Sequence, residues 1–280
     1  NVDEFGSRIS FFFNSHNHFF EEIAKFRAAR RIWATIMKNR FNAKNNKSLI
    51  CRFHTQTAGS TLAAQEIDNN IVRTTLQATA AVLGGTQSLH TNSKDEALAL
   101  PSEHSALLAL RTQQIIAFES GVSDVVDPLA GSYYIENLTN EIESQTLELI
   151  DEIDQLGGAV NAIEQNFQQN KISDSAYEFQ KGIDDKKNIQ VGVNKFITEK
   201  KTYHNIQKIN AKSVKEQIQK LKEFKKERNQ ILVHSTLNKL KIAAQGNQNL
   251  MPLIIDAVKA HATLGEISDT LRLIFDEYKG

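Results

Sequence analysis

Short apolar or alternating runs take turns with amphipathic helical stretches over about the first 155 residues. Ser7 to Phe13, SRISFFF, is apolar at several successive positions, as expected of a strand covered on both faces. Leu49 to Phe53 and Thr86 to His90 are the second and third predicted strands, and Val122 to Val126 is the fourth. Between the first two, Phe19, Ile23, Phe26, Arg30, Trp33 and Met37 recur at spacings of 4, 3, 4, 3 and 4, which places them along one helical face, with Arg30 there through its aliphatic stem. A second helix is predicted from about Asp68 to Leu83, with Ile71, Thr75, Leu76, Thr79 and Leu83 towards the core and Gly84-Gly85 ending it. A third starts at Pro101 and Ser102, capped by Ser102, and runs to about Glu119 before Gly121. The fourth, Leu138 to Leu156, closes on Gly157-Gly158. Four βα units in series predict a parallel sheet, and a (β/α)-barrel is the simplest architecture that puts the loops after the strands on one rim.

After Gly158 the pattern changes. Ala159 to Phe167 and Ile172 to Lys186 read as short amphipathic helices, and Ile189 to Phe196, IQVGVNKF, as a lone extended segment. Residues 197–212 are polar and basic, and read as a linker. Ser213 with Glu216, and Thr263 with Glu266, form capping boxes that open two tail helices, the last ending near Tyr278. The expected organisation is therefore 1–158 for the barrel units, 159–196 for associated helices and a strand, and 197–280 for a linker and helical tail.

Composition narrows the class. Within 280 residues, 33 Lys and Arg balance 33 Asp and Glu, so no global field is available to hold nucleic acid or an anionic membrane surface. Any phosphate must be recognised locally. The single cysteine, Cys51, excludes an internal disulfide framework and fits a reducing compartment, and its place in a predicted strand favours packing over reactivity. No apolar run approaches a membrane span, and residues from Asn1 onwards lack the order of a signal peptide. The cytoplasm is the expected location, and the chain reads as one entered in the middle of a domain.

Candidate chemistry gathers at two polar clusters. His54 to Gly59, HTQTAG, offers an imidazole, an amide and two hydroxyls, followed by a glycine that lets a ligand approach the backbone. The alternative is a hydrogen-bonded turn that closes the sheet. Thr86 to Leu98 has the same character: Glu96 alone would be a favourable first-turn charge, but beside Gln87, Ser88, His90 and Asn92 it becomes a candidate for holding a polyhydroxyl ligand such as ribose. His54, His90 and Asp127 lack the short spacing of a metal site, so no metal site is expected. Arg8 and Ser10 flank Ile9 in the first predicted strand and would share one side, where an arginine calls for an anion such as phosphate, or else a surface carboxylate. The charge-rich Lys220 to Arg228 reads as a solvated helix face.

At these residues a resemblance becomes visible. DEFGSRISFFF, FRAARRIWA, RFHTQTAG, NNIVRT, LGGTQSLHTNSKDEALALP, RTQQIIAFESGV, VDPLAGSYYIE, VGVNKF and, in the tail, LGEISDTL closely resemble the adenosylcobalamin-dependent acyl-CoA mutase family, typified by the methylmalonyl-CoA mutase large subunit. The resemblance implies an α/β fold: a partial (β/α)8 TIM barrel, about the last four βα units, with a helical C-terminal extension. It implies an acyl-CoA along the barrel axis and cobalamin against the C-terminal rim, carried by a separate domain or subunit. Arg8, Ile9 and Ser10 would match the coenzyme A contact. His54 and Gln56 would line the substrate and corrin side, Gln87 and Ser88 would match a cofactor-side pair, and Glu96 would hold the adenosyl ribose. Gln56 and Glu96 would thereby orient the reacting groups in a radical carbon-skeleton isomerisation, such as that of methylmalonyl-CoA and succinyl-CoA.

The pattern also departs from the family. The resemblance starts at about the fifth βα unit, so the N-terminal barrel half would come from elsewhere, with the tyrosine and arginine that recognise the acyl carboxylate and the histidine of a YHMQEAG-type motif. The DxHxxG motif of the cobalamin-binding small subunit or domain has no counterpart in YHNIQK, VHSTL or AHATLG. The expectation is a catalytic-subunit fragment that is inactive alone. The alternatives are a non-catalytic or split-subunit assembly partner of a mutase, or a part of a related isobutyryl-CoA or hydroxyisobutyryl-CoA mutase.

Overall fold

The computed structural model describes residues 1–198 and 206–277. By contacts the chain divides into two compact units, Asn1–Lys208 and Ile209–Gly280. The first holds a three-stranded sheet, β1 (Phe11–Ser15), β2 (Phe53–Thr57) and β3 (Ser88–His90), in that order and all parallel. Around it lie α1 (Phe19–Asn39), α2 (Asn69–Leu83), α3 (Glu103–Glu119) and α4 (Tyr133–Gln155), followed by α5 (Ala159–Glu164) and α6 (Phe167–Asp184). This is an α/β unit with a small parallel sheet.

One sheet face is built from odd-numbered positions. Phe11, Phe13, Phe53 and Leu89 pack with Phe26 and Trp33 of α1, Cys51 and Ala81 of α2. Phe26 stacks on Phe53 at 5.2 Å between ring centroids, and Phe13 meets Phe53 edge-on at 5.2 Å. Trp33 sets its ring edge-on to Phe11 and donates its indole N–H to the Ser48 carbonyl at 3.1 Å. Cys51 is buried, and that burial pushes its thiol pKa up, in keeping with a packing role.

Several expectations shift. β1 starts four residues later than predicted, because Gly6–Arg8 forms a 3-10 turn that Arg52 pins by donating to the Ser7 carbonyl at 2.8 Å. The ladder then begins with the Phe11 amide on the Arg52 carbonyl at 2.8 Å. Arg8 and Ser10 therefore do not share a strand face. β2 also shifts, so the polar HTQT is itself the strand, with Thr55 and Thr57 buried and Thr55 paired to the Thr86 hydroxyl at 2.8 Å. Val122 to Val126 forms no strand: it folds into turns against the end of α3, with Ser123 donating to the Ala117 carbonyl at 3.0 Å, and Val126 is 98% exposed. Ile189 to Phe196 is a turn closed by a single bridge between Val191 and Lys195. α4 starts five residues before the predicted Leu138, at Tyr133.

α2 presents a different face from the predicted one. Leu76 and Val72 are exposed, while Asn70, Thr74, Gln77 and Ala81 are buried. Its end is as expected in kind: Gly85 takes φ +81°, and a Cβ there would come within 2.9 Å of Arg30 Nη1. Arg30 uses its head as well as its stem, donating to the Gly84 carbonyl at 2.6 Å. Ser102 caps α3 as predicted, its hydroxyl accepting from the Ser105 amide.

α1 and α4 are joined by ion pairs. The half-buried Arg27 donates to Asp127 at 2.9 Å, Glu136 at 2.7 Å and the Thr139 hydroxyl at 3.0 Å, and its guanidinium holds the Glu136 carboxyl below the usual carboxylate range. Arg31 pairs with Glu143, and Arg40 with Asp154. Arg27→Ala should lower the unfolding midpoint in a urea melt, because Asp127, Glu136 and the buried Thr139 hydroxyl lose their shared donor together. An unchanged midpoint would show the network to be no more than a surface decoration.

The second unit is helical: α7 (Ala211–Glu227), α8 (Gln230–Ala244), α9 (Met251–Lys259) and α10 (Leu264–Phe275). Its core is Val233, Leu240, Ala257, Ala260, Ala262 and Ile267. α7 opens on Asn210, whose side chain accepts from the Lys212 amide, so Ser213 lies within the helix and the predicted Ser213 capping box is absent. The Thr263 and Glu266 box is present. α10 ends at Phe275, while Tyr278 and residues 199–205 of the expected linker lie outside the described residues. Arg228 is not on a solvated face. Its side chain is 4% exposed and donates to Glu266 at 2.7 Å and to the His261 carbonyl at 2.9 Å.

That pairing holds the Glu266 carboxyl far below its ordinary range, first through the Arg228 hydrogen bonds and against the opposing effect of burial. A carboxyl lowered on folding contributes stability that is whole above its unfolded value and fades as pH falls beneath it. Circular-dichroism melts of the chain should thus show Glu266→Gln removing part of the stability at pH 7 and flattening the loss below about pH 4.3. Identical acid profiles for the two proteins would contradict the assignment.

Candidate functional site

The other sheet face carries the even-numbered positions. The register sets them in two rows: Phe12, His54 and Ser88 across one, and Asn14, Gln56 and His90 across the next. Phe12 is 59% exposed, so this face is an open surface and not a second core layer. Its ring lies 5.1 Å from that of His54, and His54 Nδ1 shares a hydrogen bond of 2.8 Å with the Ser88 hydroxyl. That contact fixes the ring and leaves Nε2 as the outward nitrogen.

The loops after β2 and β3 close over the C-terminal end of this face. Gln56 Nε2 donates to Asn92 Oδ1 at 2.8 Å, and Asn92 is itself held by its own amide on the Thr57 hydroxyl at 2.9 Å and by its side chain on the Thr57 carbonyl at 3.0 Å. Asn92 is buried and its amide is used internally, so it orients Gln56 and is not itself presented to a ligand. Among the described residues, Gln56 Oε1 and the exposed Glu96 carboxylate take no protein partner. Glu96 sits in a turn and not in a helix opening as predicted. A Cβ on Gly59 would lie 3.0 Å from Asn92 Nδ2 and 3.4 Å from Glu96 Oε1, so glycine keeps that approach open. The neighbouring Asp95 is buried, accepts from the Ser102 amide at 3.1 Å, and leaves its other oxygen unpaired.

The remaining predicted residues are placed elsewhere. Gln87 turns to the sheet edge, accepting from the Phe53 amide at 2.8 Å and donating to the Gly85 carbonyl at 3.0 Å, and so extends the ladder beyond β3. Arg8, Ile9 and Ser10 precede β1, at the opposite end of the strands from Gln56 and Glu96. Arg8 is exposed and has no carboxylate within 4 Å among the described residues. Asp127 pairs with Arg27 and not with His54 or His90. Among the described residues, no group of three His, Cys, Asp or Glu side chains is placed to hold a metal ion. No helix there is long and apolar enough to cross a membrane.

The chain is similar to known proteins along nearly its whole length. The family model for methylmalonyl-CoA mutase matches residues 1–277. The chain belongs to the methylmalonyl-CoA mutase family. It is 47% identical over 280 residues to the 2-hydroxyisobutanoyl-CoA mutase large subunit of Aquincola tertiaricarbonis, covering 99% of this chain and 50% of that protein. It is 46% identical to the mitochondrial methylmalonyl-CoA mutase of Mus musculus, over 99% of this chain and 37% of that one. With the methylmalonyl-CoA mutase of Rhizobium meliloti (strain 1021) the identity is 43%, over 39% of that protein. The chain thus spans half or less of the length of these family members.

Phe12 and Asn14 were not among the residues singled out for the site, and Asn92 was named there as a ligand-holding neighbour of Glu96 and not as the residue that orients Gln56. The pairing of Phe12 with His54 and of Asn14 with Gln56 follows from the register, which the sequence alone left shifted. Asn92→Ala should destabilise the first unit by about 2–3 kcal/mol in denaturant melts, since Gln56 and Thr57 lose buried partners together. An effect within about 0.5 kcal/mol would mean that water replaces the amide at no loss.

Proposed function

We propose that this chain is part of the catalytic subunit of an adenosylcobalamin-dependent acyl-CoA mutase, an isomerase that rearranges the carbon skeleton of a short branched acyl thioester. The observation that carries the reading is the single open sheet face on which His54, Gln56 and Ser88 meet, with Glu96 beside Gly59 at its end. In this reading the sheet is one part of a (β/α)8 barrel, the open face lines its interior, and the remaining strands come from polypeptide outside these residues. The outer edges of β1 and β3, which no strand pairs among the described residues, and the exposure of Phe12 support it. The names of the relatives divide between methylmalonyl and 2-hydroxyisobutanoyl substrates at 46 and 47% identity, so the class is proposed and not the acyl group.

The donor set fits the cofactor's nucleoside side. The Glu96 carboxylate, without a cationic partner among the described residues, would accept from two ribose hydroxyls, and the missing Cβ at Gly59 would leave them room. Bound there, adenosylcobalamin would supply a carbon-centred radical by homolysis of its cobalt–carbon bond. Glu96 would hold the ribose, Gln56 and His54 would orient the thioester and the corrin-facing side, and Ser88 would keep the His54 ring in place. Gln87, bound to backbone, would act by fixing the Phe53 strand edge beside them. At the other end of the strands, Arg8 with Ile9 and Ser10 would meet the coenzyme A phosphates. The proposed partners are the N-terminal barrel half and a cobalamin-binding subunit or domain.

Two measurements test this. The chain, combined with a polypeptide supplying the rest of its relatives' length and a cobalamin-binding subunit, should isomerise an acyl-CoA, and a folded but inert mixture would overturn the reading. In the active mixture Glu96→Ala should lower kcat roughly 100-fold. Arg8→Ala should instead raise KM for the thioester roughly tenfold with a smaller effect on kcat.

A further inference from the structure

α2 carries a stripe of polar residues where a helix on a sheet ordinarily buries apolar ones. Asn70, Thr74 and Gln77 recur at spacings of 4 and 3 and are 0%, 2% and 1% exposed. Buried amides are costly unless every donor and acceptor is matched, so their partners show what the stripe is for. Gln77 Oε1 accepts from the Ala58 amide at 3.1 Å, and its Nε2 donates to Asn17 Oδ1 and to the Thr61 hydroxyl, both at 2.6 Å. Its main-chain carbonyl accepts from the Ser15 hydroxyl at 2.8 Å. Asn70 Oδ1 accepts from the Ala63 amide at 3.1 Å, and its Nδ2 donates to the carbonyls of Ala63 and Lys94, both at 2.9 Å. Arg73 joins them, donating to Asn70 Oδ1 and to the Val191 carbonyl, both at 2.7 Å.

These two residues thus grip three segments: Ser15 and Asn17 at and just after the end of β1, the loop after β2 at Ala58, Thr61 and Ala63, and the loop after β3 at Lys94, two residues before Glu96. We propose that Asn70 and Gln77 are positioning residues, which set the distance between the Gln56 strand end and Glu96 by tying their loops to one rigid helix. Only an amide suits the place, because Asn70 must accept from one backbone amide and donate to two backbone carbonyls at once. What the loops hold rests on the function proposed above. The coupling between them does not.

The test is hydrogen exchange on the full chain. Asn70→Asp keeps the acceptor for Ala63 and Arg73 but turns carboxylate lone pairs on the Ala63 and Lys94 carbonyls. Exchange in residues 61–67 and 91–98 should rise together by roughly tenfold or more, while α1 and β1 change less than about twofold. No rise in 91–98 overturns the proposal. Should Asn70→Asp unfold the chain, Asn70→Ser is read in the same way, and a uniform rise with both variants also overturns it. In the reconstituted enzyme the same variants should lower kcat roughly 10-fold to 100-fold and leave KM for the acyl-CoA within about threefold, because Arg8 lies at the far end of the strands. A purely structural role would lower active enzyme without that split. Coupled exchange alongside a silent Glu96→Ala would retain the clamp and discard the reading of Glu96.

Discussion

The alternation of β2 is the constraint on which the first unit depends. Phe53, Thr55 and Thr57 must face the helices, because Phe53 is the ring on which Phe26 and Phe13 converge. Once they do, His54 and Gln56 have no choice but the opposite face. A slip of one residue would bury an imidazole and an amide against Phe26 and expose the aromatic ring. Core packing and site geometry are therefore the same decision, made by one five-residue strand and copied to its neighbours through the register.

The helices and their ends were largely legible in the sequence, since the 3.6-residue period of α1, the Ser102 cap and the Gly85 terminus are local signals. The strands were less so. SLICRF looks like a strand because it is apolar, yet Asn46–Leu49 turns and Cys51 packs before the ladder begins. HTQT looks like a loop because it is polar, yet its threonines bury hydroxyls that find partners and its other side chains face an open surface. The same reason misplaced the face of α2. Its core side is made of Asn70, Thr74 and Gln77, so a rule that seeks apolar stripes turns the helix the wrong way. The segment Val122 to Val126 shows the reverse error: its pattern is that of a strand, but a strand needs a neighbour's backbone as well as apolar residues.

For the candidate site, residue types were legible and roles were not. Gln87 and Asn92 offer the same amide chemistry as Gln56, and nothing local separates them. Their partners do: Gln87 completes a strand edge, Asn92 gives its donors to Thr57 and its oxygen to Gln56, and Gln56 keeps an oxygen without a partner among the described residues. Arg8 keeps an exposed head, without a carboxylate partner among the described residues, by a route different from the strand alternation first expected, through a 3-10 turn.

The two polar systems of the unit bear on each other. The loops after β2 and β3 lack a ladder of their own, much of their side-chain content is Ala, Ser and Thr, and the sheet face they border is open. Precision at Glu96 must therefore be imported from a rigid element, and α2 is the helix placed to supply it, packed on the sheet through Ala81 and gripping the loops through Asn70 and Gln77. An apolar stripe at those positions would pack as well but would take from the Ala63 amide, the Ala63 carbonyl and the Lys94 carbonyl the partner that Asn70 gives them. Buried polarity in α2 and exposed polarity on the sheet are in that sense one arrangement, with the first fixing where the second stands.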